Sequence, residues 1–152
     1  MKFARSIAGK IWALPNTIIG IAVGTVGYVV GTFMGTNPYI DFKNNAIQFH
    51  NIPFMNTAMT FGNAILYDDD PYFYSTAARG THTLGDEELQ HTYQAEKLGL
   101  FYLPAHAIFG IGSMITSGNY SINGWHENSY LEKYPHPGPG DSWSPKPWGP
   151  WK

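Results

Sequence analysis

The segment Glu87-Glu88-Leu89-Gln90-His91 concentrates the residues best suited to chemistry. On a helix, Glu87 and His91 stand four residues apart and Glu88 and His91 three apart, so all three share one side of the cylinder. Two side chains at that spacing can hold one divalent metal ion, while the residue beside the first points at the open coordination position. In the His-Glu-x-x-His pattern of metallopeptidases, two imidazoles bind zinc and the glutamate activates the attacking water. Here Glu87 stands where the first histidine would be. What remains is Glu-Glu-x-x-His, followed by Thr92-Tyr93-Gln94. The same residues have a simpler explanation: Asp86-Glu87-Glu88 near a helix start is what the helix dipole favours. His91, one turn on, can bond to Glu87 or Glu88 with no metal at all.

The elements that must position this segment can be read from periodicity. Ala46 to His50 alternates as a short strand, and Asn51-Ile52-Pro53 breaks it. Ala58 to Tyr67 forms a second strand or a pair of strands, and Asp68-Asp69-Asp70-Pro71 closes the unit. Those three aspartates lack the spacing of a calcium loop, so they make a solvated turn. From Leu84 the apolar period becomes helical and runs to Leu98, with Gly99 as its C-cap. A second apolar stretch, Leu100 to Ser117, carries Pro104 and His106, and a short helix is expected around Trp125 to Lys133. The fold class is α+β: a small antiparallel sheet, the Glu87–His91 helix, an apolar N-terminal helix or hairpin, and a Pro/Trp-rich tail. Residues 1–40 form the apolar glycine-rich segment, 41–133 the α+β core and 134–152 the tail, all within one domain.

The N-terminus is basic (Lys2, Arg5, Lys10), and no charged residue occurs from Ile11 to Ile40. This is long enough to reach across a bilayer core and fits a retained membrane anchor, though a buried soluble hairpin satisfies the same pattern. Gly20, Gly24, Gly27, Gly31 and Gly35 fall on one helical stripe. Such a stripe lets backbones approach closely, and it predicts packing against another helix, lipid, or a second copy of the chain. Pro15-Asn16 is expected to start or break that helix. Charged residues are only 13% of the chain and aromatics 16%, which favours contact with a membrane or an apolar protein partner. With a net charge of −2 and no basic cluster, the footprint of a nucleic-acid binder is missing. Without cysteine, any metal must be held by His, Asp, Glu or backbone oxygens. No phosphate loop, nucleophile elbow or dinucleotide fingerprint occurs.

Several stretches, in order, resemble a group of small, largely uncharacterised bacterial proteins. His91-Thr92-Tyr93-Gln94 followed by Leu98-Gly99-Leu100-Phe101-Tyr102-Leu103-Pro104 is similar to their His-Glu-x-x-His-x-x-Gln helix, which runs into a Leu-Gly-Pro-Leu-Phe-Leu-Pro segment. Ala58-Met59-Thr60-Phe61-Gly62-Asn63 is similar to their Ala-Ile-Thr-Leu-Gly-Asn/His stretch. Asn128-Ser129-Tyr130-Leu131-Glu132 is similar to their Asn-Pro-Leu/Phe-Glu motif with one residue inserted, and Leu14-Pro15-Asn16-Thr17 also fits.

The resemblance implies a minimal zincin-like metallohydrolase, a peptidase with an altered or impaired metal site, in which His91 and Glu132 bind metal and Glu88 is the general base; the apolar N-terminal segment makes it membrane-associated. Glu87 takes the place of a histidine ligand. Such a carboxylate-rich site is harder, less Lewis-acidic, and more tolerant of manganese, calcium or magnesium than a two-histidine zinc site. His82, just before the helix, or His126 and His136, flanking Glu132, can supply the missing imidazole. His50 and His106 lie in apolar surroundings and are expected to be structural. The alternative is a catalytically inactive scaffold that binds membrane or a protein partner.

Overall fold

The computed structural model describes residues 2–43, 45–68, 70–72 and 83–133. His82, His136 and the Pro/Trp-rich tail lie outside them. The fold is α+β. A long helix, α1 (Lys2–Met34), leads into four strands: β1 (Tyr39–Lys43), β2 (Ala46–His50), β3 (Ala58–Phe61) and β4 (Ala64–Tyr67). Then come α2 (Leu84–Leu98), a 3-10 turn (Gly99–Phe101), α3 (Tyr102–Ser117), and two short helices, α4 (Ile122–Glu127) and α5 (Tyr130–Lys133).

The sheet order is β1-β2-β4-β3. The β1/β2 and β3/β4 pairs are antiparallel as expected, but β2 and β4 run parallel, so the sheet is mixed rather than wholly antiparallel. The reason lies in the connection. The chain leaves β2, makes β3 at the far edge, and turns back through Gly62-Asn63, which returns β4 alongside β2 in the same direction. Gly62 sits at φ +63, a left-handed conformation suited to glycine in so tight a turn.

The sheet's packing partner is α1. Its glycine stripe is filled by the chain's own strands, not by another helix. A methyl at Gly20 would meet Phe61 and Ala64 Cβ atoms at 2.6 and 2.7 Å, and one at Gly27 would meet Ile52 at 2.6 Å. Gly31 faces Thr36, while Gly35 has open space around it. Glycine removes the side-chain layer between helix and sheet, and the two backbones close up. Phe49, Ile52 and Leu66 form the core beneath, with Val23, Ile47 and Phe61 around them.

The helix also runs unbroken through Pro15, where a start or break was expected. The single backbone bond lost there is outweighed by contacts on both sides. The Asn16 amide donates to the Gly99 carbonyl, and Ala13 packs with Ala95 and Tyr102. The outward face of α1 is apolar and uncovered: Ile11, Ile18, Val29 and Phe33 are all exposed. Ile7–Met34 is long and apolar enough to cross a membrane, and so is the α2–α3 stretch Leu84–Ser117.

A polar knot ties α1, the sheet and α2 together. Glu96 Oε1 accepts hydrogen bonds from Lys10 Nζ (2.9 Å), Asn45 Nδ2 (2.9 Å) and Asn63 Nδ2 (3.0 Å). Thr17 Oγ1 accepts from the Asn63 amide at 2.9 Å. These bonds fix the axial position of α2, and with it the residues Glu87, Glu88 and His91.

Candidate metal centre

Thr83 starts α2 with a capping box: its hydroxyl accepts from the Asp86 amide, and the Asp86 carboxylate accepts from the Thr83 amide. Asp86 is therefore spent on the cap. The following turn buries Glu87, Glu88 and His91, whose exposures are 9%, 6% and 5%. Burial of three ionisable groups on one helical turn is costly unless they are paired.

Glu132 meets this face from α5, across a long stretch of chain. Its Oε2 stands 3.3 Å from His91 Nε2, and one donor atom from each of Glu87, His91 and Glu132 falls within 4.8 Å of the others. The group can hold a metal ion. Glu132 is 4% exposed, and its position is set by the backbone next to it. Gln94 Nε2 donates to the Leu131 carbonyl at 2.8 Å, which orients the Gln94 amide. Gln94 Oε1 must then accept, at 2.8 Å, from His91 Nδ1–H. One proton of His91 is therefore on Nδ1, and Nε2 faces Glu132 and Glu87; a metal bound there would displace the proton that Nε2 otherwise carries. One glutamine thus places both a ligand helix and a ligand ring.

The structure offers a test of whether these residues suit a metal. Glu132 Oε2 lies 3.3 Å from both His91 Nε2 and His126 Nδ1, yet it takes part in no aligned hydrogen bond among the described residues. Donor atoms about 2.0–2.1 Å from a tetrahedral zinc stand roughly 3.3–3.4 Å from one another. The His91–Glu132 separation suits two donors of one ion, and Glu87, His91 and Glu132 together can hold a divalent metal.

Without a metal, charge pairing sets the protonation. Burial alone would lower His91, but the Glu132 carboxylate, Glu88 and the Gln94 bond together push it up to about 10. Burial alone would raise Glu132, but the imidazoles of His91 and His126 hold it well below the usual carboxylate range. Glu88 responds differently. Burial raises its carboxyl to about 7, against the opposing pull of His91 and of the Thr60 hydroxyl, which donates to its Oε2 at 2.5 Å.

Two histidines take positions that differ from the sequence expectation or narrow it. His106, expected to be structural, packs edge-on against His91 and Tyr102 with its Nδ1 3.6 Å from Glu132 Oε1. Burial and the neighbouring His91 lower it to about 3, so its ring stays neutral. Of the substitutes for the missing imidazole, His126 contacts Glu132 without joining the Glu87/His91/Glu132 group, and His82 and His136 are outside the described residues. His50 belongs to the sheet, stacked between Tyr39 and Tyr67. Thr60 and Gln94 stand in stretches that carry the resemblance, but the sequence assigned neither a role at the site. Thr60 acts through a contact made only when β3 docks on α2, whereas Gln94 meets His91 within α2 and Leu131 only when α5 docks.

No family model, curated protein or solved structure matches this chain.

Proposed function

We propose that this chain is a membrane-associated, zincin-like metallohydrolase that cleaves peptide bonds. The observation that carries the reading is the arrival of Glu132 over the Glu87/His91 face, with Glu88 buried beside it. A bound zinc ion would act as a Lewis acid toward the scissile carbonyl and the attacking water. Glu87, His91 and Glu132 would hold it. Glu88 accepts the water's proton and later passes it to the leaving amine, a task suited to a carboxyl near neutrality. Thr60 fixes the Glu88 rotamer, and Gln94 fixes the ligand tautomer.

The uncovered apolar faces of α1 and α3 support the membrane part. Ile11, Ile18 and Phe33 on one helix, and Ile108, Ile111 and Ile115 on the other, are exposed. A perpendicular crossing by α1 would drag its docked sheet into hydrocarbon, including the edge strand β1 with Asp41 and Lys43. Open sheet edges are not tolerated there. The helix instead lies along the bilayer surface, with its glycine face on the sheet and its apolar face in lipid.

The full chain, purified in detergent, is expected to carry one divalent metal and to hydrolyse peptide substrates. Glu88→Gln is expected to keep the metal and lose turnover, and His91→Ala to lose both. A chain that takes up no metal on reconstitution would be the inactive scaffold instead. For the membrane part, the wild type is expected to float with lipid vesicles and an Ile18→Glu/Val29→Glu variant to stay behind. A wild type that remains in the aqueous phase overturns it.

A further inference from the structure

We propose that two copies of this chain pair through the free edge of β1, in an antiparallel seam centred on Phe42. The seam lies away from the metal site and does not depend on it. β1 is the outer strand of the order β1-β2-β4-β3, and every one of its residues is exposed. Phe42 is 79% exposed and Ile40 44%. The backbone is open in the same place. Ile47 donates its amide to the Asn63 carbonyl at 2.9 Å, so its polar groups face β4 and not β1. Phe42, directly opposite Ile47 in the antiparallel ladder, therefore turns its own amide and carbonyl outward. Its amide is met there by the carboxylate of the neighbouring Asp41, at 2.7 Å. An open edge that carries a large apolar side chain is a template for another strand.

The charges on the strand select its occupant. Asp41 and Lys43 flank Phe42 and share the opposite face of the strand from it. Neither makes an ion pair among the described residues. Lys43 lies over the Tyr72 ring, 4.8 Å from its centroid, and donates to the Tyr72 hydroxyl. In an antiparallel seam the outward residues of one copy must meet outward residues of the other, which restricts the registers. With Phe42 opposite Phe42, each copy's Asp41 stands opposite the other copy's Lys43, twice by symmetry. The next register on either side sets Asp41 against Asp41 or Lys43 against Lys43, and like charges directly opposite are destabilising. The strand is complementary to itself in one register. On pairing, the Phe42 amide passes from Asp41 to the Phe42 carbonyl of the second copy, and Asp41 is released to the facing Lys43.

The symmetry of this seam agrees with the rest of the molecule. A strand paired with its own copy in antiparallel fashion has its two-fold axis perpendicular to the sheet. Gly20, Gly24 and Gly27 seat α1 on one face of the sheet, so both copies keep α1 on the same side. The exposed apolar faces of the two helices then point the same way, toward one surface. Phe42 shares the face of Ile47 and Phe49, and the two Phe42 rings meet across the seam on the α1 side. The ion pairs close it on the other side.

The test uses the full chain in detergent, with self-association measured by sedimentation. The wild type is expected to form a dimer. Asp41→Lys sets like charges across the seam at both symmetric positions and is expected to weaken the dimer roughly tenfold. Asp41→Lys/Lys43→Asp is expected to recover it, since opposite charges face each other again. The chain has no cysteine, so single-cysteine variants report the register. Phe42→Cys is expected to cross-link to its own copy on oxidation, with Cα atoms about 5.5 Å apart and within disulfide reach. Ile40→Cys is expected not to, because it stands about 14 Å from its own copy. A wild type that stays monomeric, a dimer indifferent to Asp41→Lys, or a double variant that fails to recover overturns the seam. Cross-linking at Ile40 and not at Phe42 overturns the register. A monomer whose Phe42→Ser variant loses vesicle binding overturns it too, and shows that lipid covers the edge. Flotation of the wild type is read separately: its failure overturns the membrane reading and leaves the seam standing.

Discussion

Two glycine-to-alanine substitutions, both inside helices, should move stability in opposite directions. In a helix interior, alanine is favoured over glycine by about 1 kcal/mol. At Gly112 of α3 nothing lies within 4 Å of the added methyl, so that gain is realised in full. At Gly24 of α1 the methyl would stand 2.5–2.6 Å from three Phe49 ring carbons. Carbon atoms rest about 3.5–4.0 Å apart, so the ring or the helix must shift by roughly 1 Å. Phe49 is 1% exposed, and its backbone is paired with Ile40 on one side and Leu66 on the other, so it has nowhere to swing. Overpacking of a tight core costs about 1–3 kcal/mol, and a locked ring belongs at the upper end. The net expectation is a loss of about 2 kcal/mol for Gly24→Ala and a gain of up to about 1 kcal/mol for Gly112→Ala. At about 2–4 °C per kcal/mol for a chain of this size, melting should fall by roughly 4–8 °C in the first and rise by roughly 2–4 °C in the second. Thermal melts followed by circular dichroism, in one detergent for all three proteins, read this directly. If Gly24→Ala melts at or above the wild-type temperature, the glycine stripe is not seated on β2, and the account of α1 docking is wrong.

Further expectations concern the site and its supports. Glu87→His should tighten zinc binding at least roughly tenfold, since an imidazole replaces a carboxylate in a soft-ion site; chelator competition reads the change, and equal affinities would remove position 87 from the ligand set. Glu96→Leu leaves Lys10, Asn45 and Asn63 without their shared acceptor. It should cost about 1–3 kcal/mol in urea unfolding, and a neutral result would show the knot to be incidental. Burial lowers the pKa of His50 below its ordinary 6.5, with Asp41 and Asp70 opposing weakly. Below that pH the unfolded chain takes up the proton first, so this contribution to stability is present above about 6.5 and is lost as pH falls. His50→Phe, which keeps a ring between Tyr39 and Tyr67, should therefore show a shallower fall in urea midpoint between pH 7 and 5. An identical slope would rule out His50 as the source.

Local chemistry determined a good part of this protein before any contact was known. The helical period from Leu84 and the glycine after Leu98 delimited α2, because a helix is closed by hydrogen bonds within one turn. Ala58–Tyr67 was legible as one strand or two, and the structure divides it at Gly62-Asn63. The spacing of Glu87, Glu88 and His91 put three groups on one face, since helix geometry repeats every few residues. The tertiary structure decided what those faces meet. A glycine stripe specifies a close approach without naming the partner, and sheet, helix and lipid satisfy the same pattern; only the docked fold shows Phe49, Ile52 and Phe61 in the gap. Glu132, His106 and His126 share no period with His91. Their convergence depends on α3 folding back after the 3-10 turn and on Ser113, Gly110 and Gln94 seating α4 and α5. Those contacts span distances in sequence that no local rule connects, and the energy that holds them comes from burial summed over the whole core.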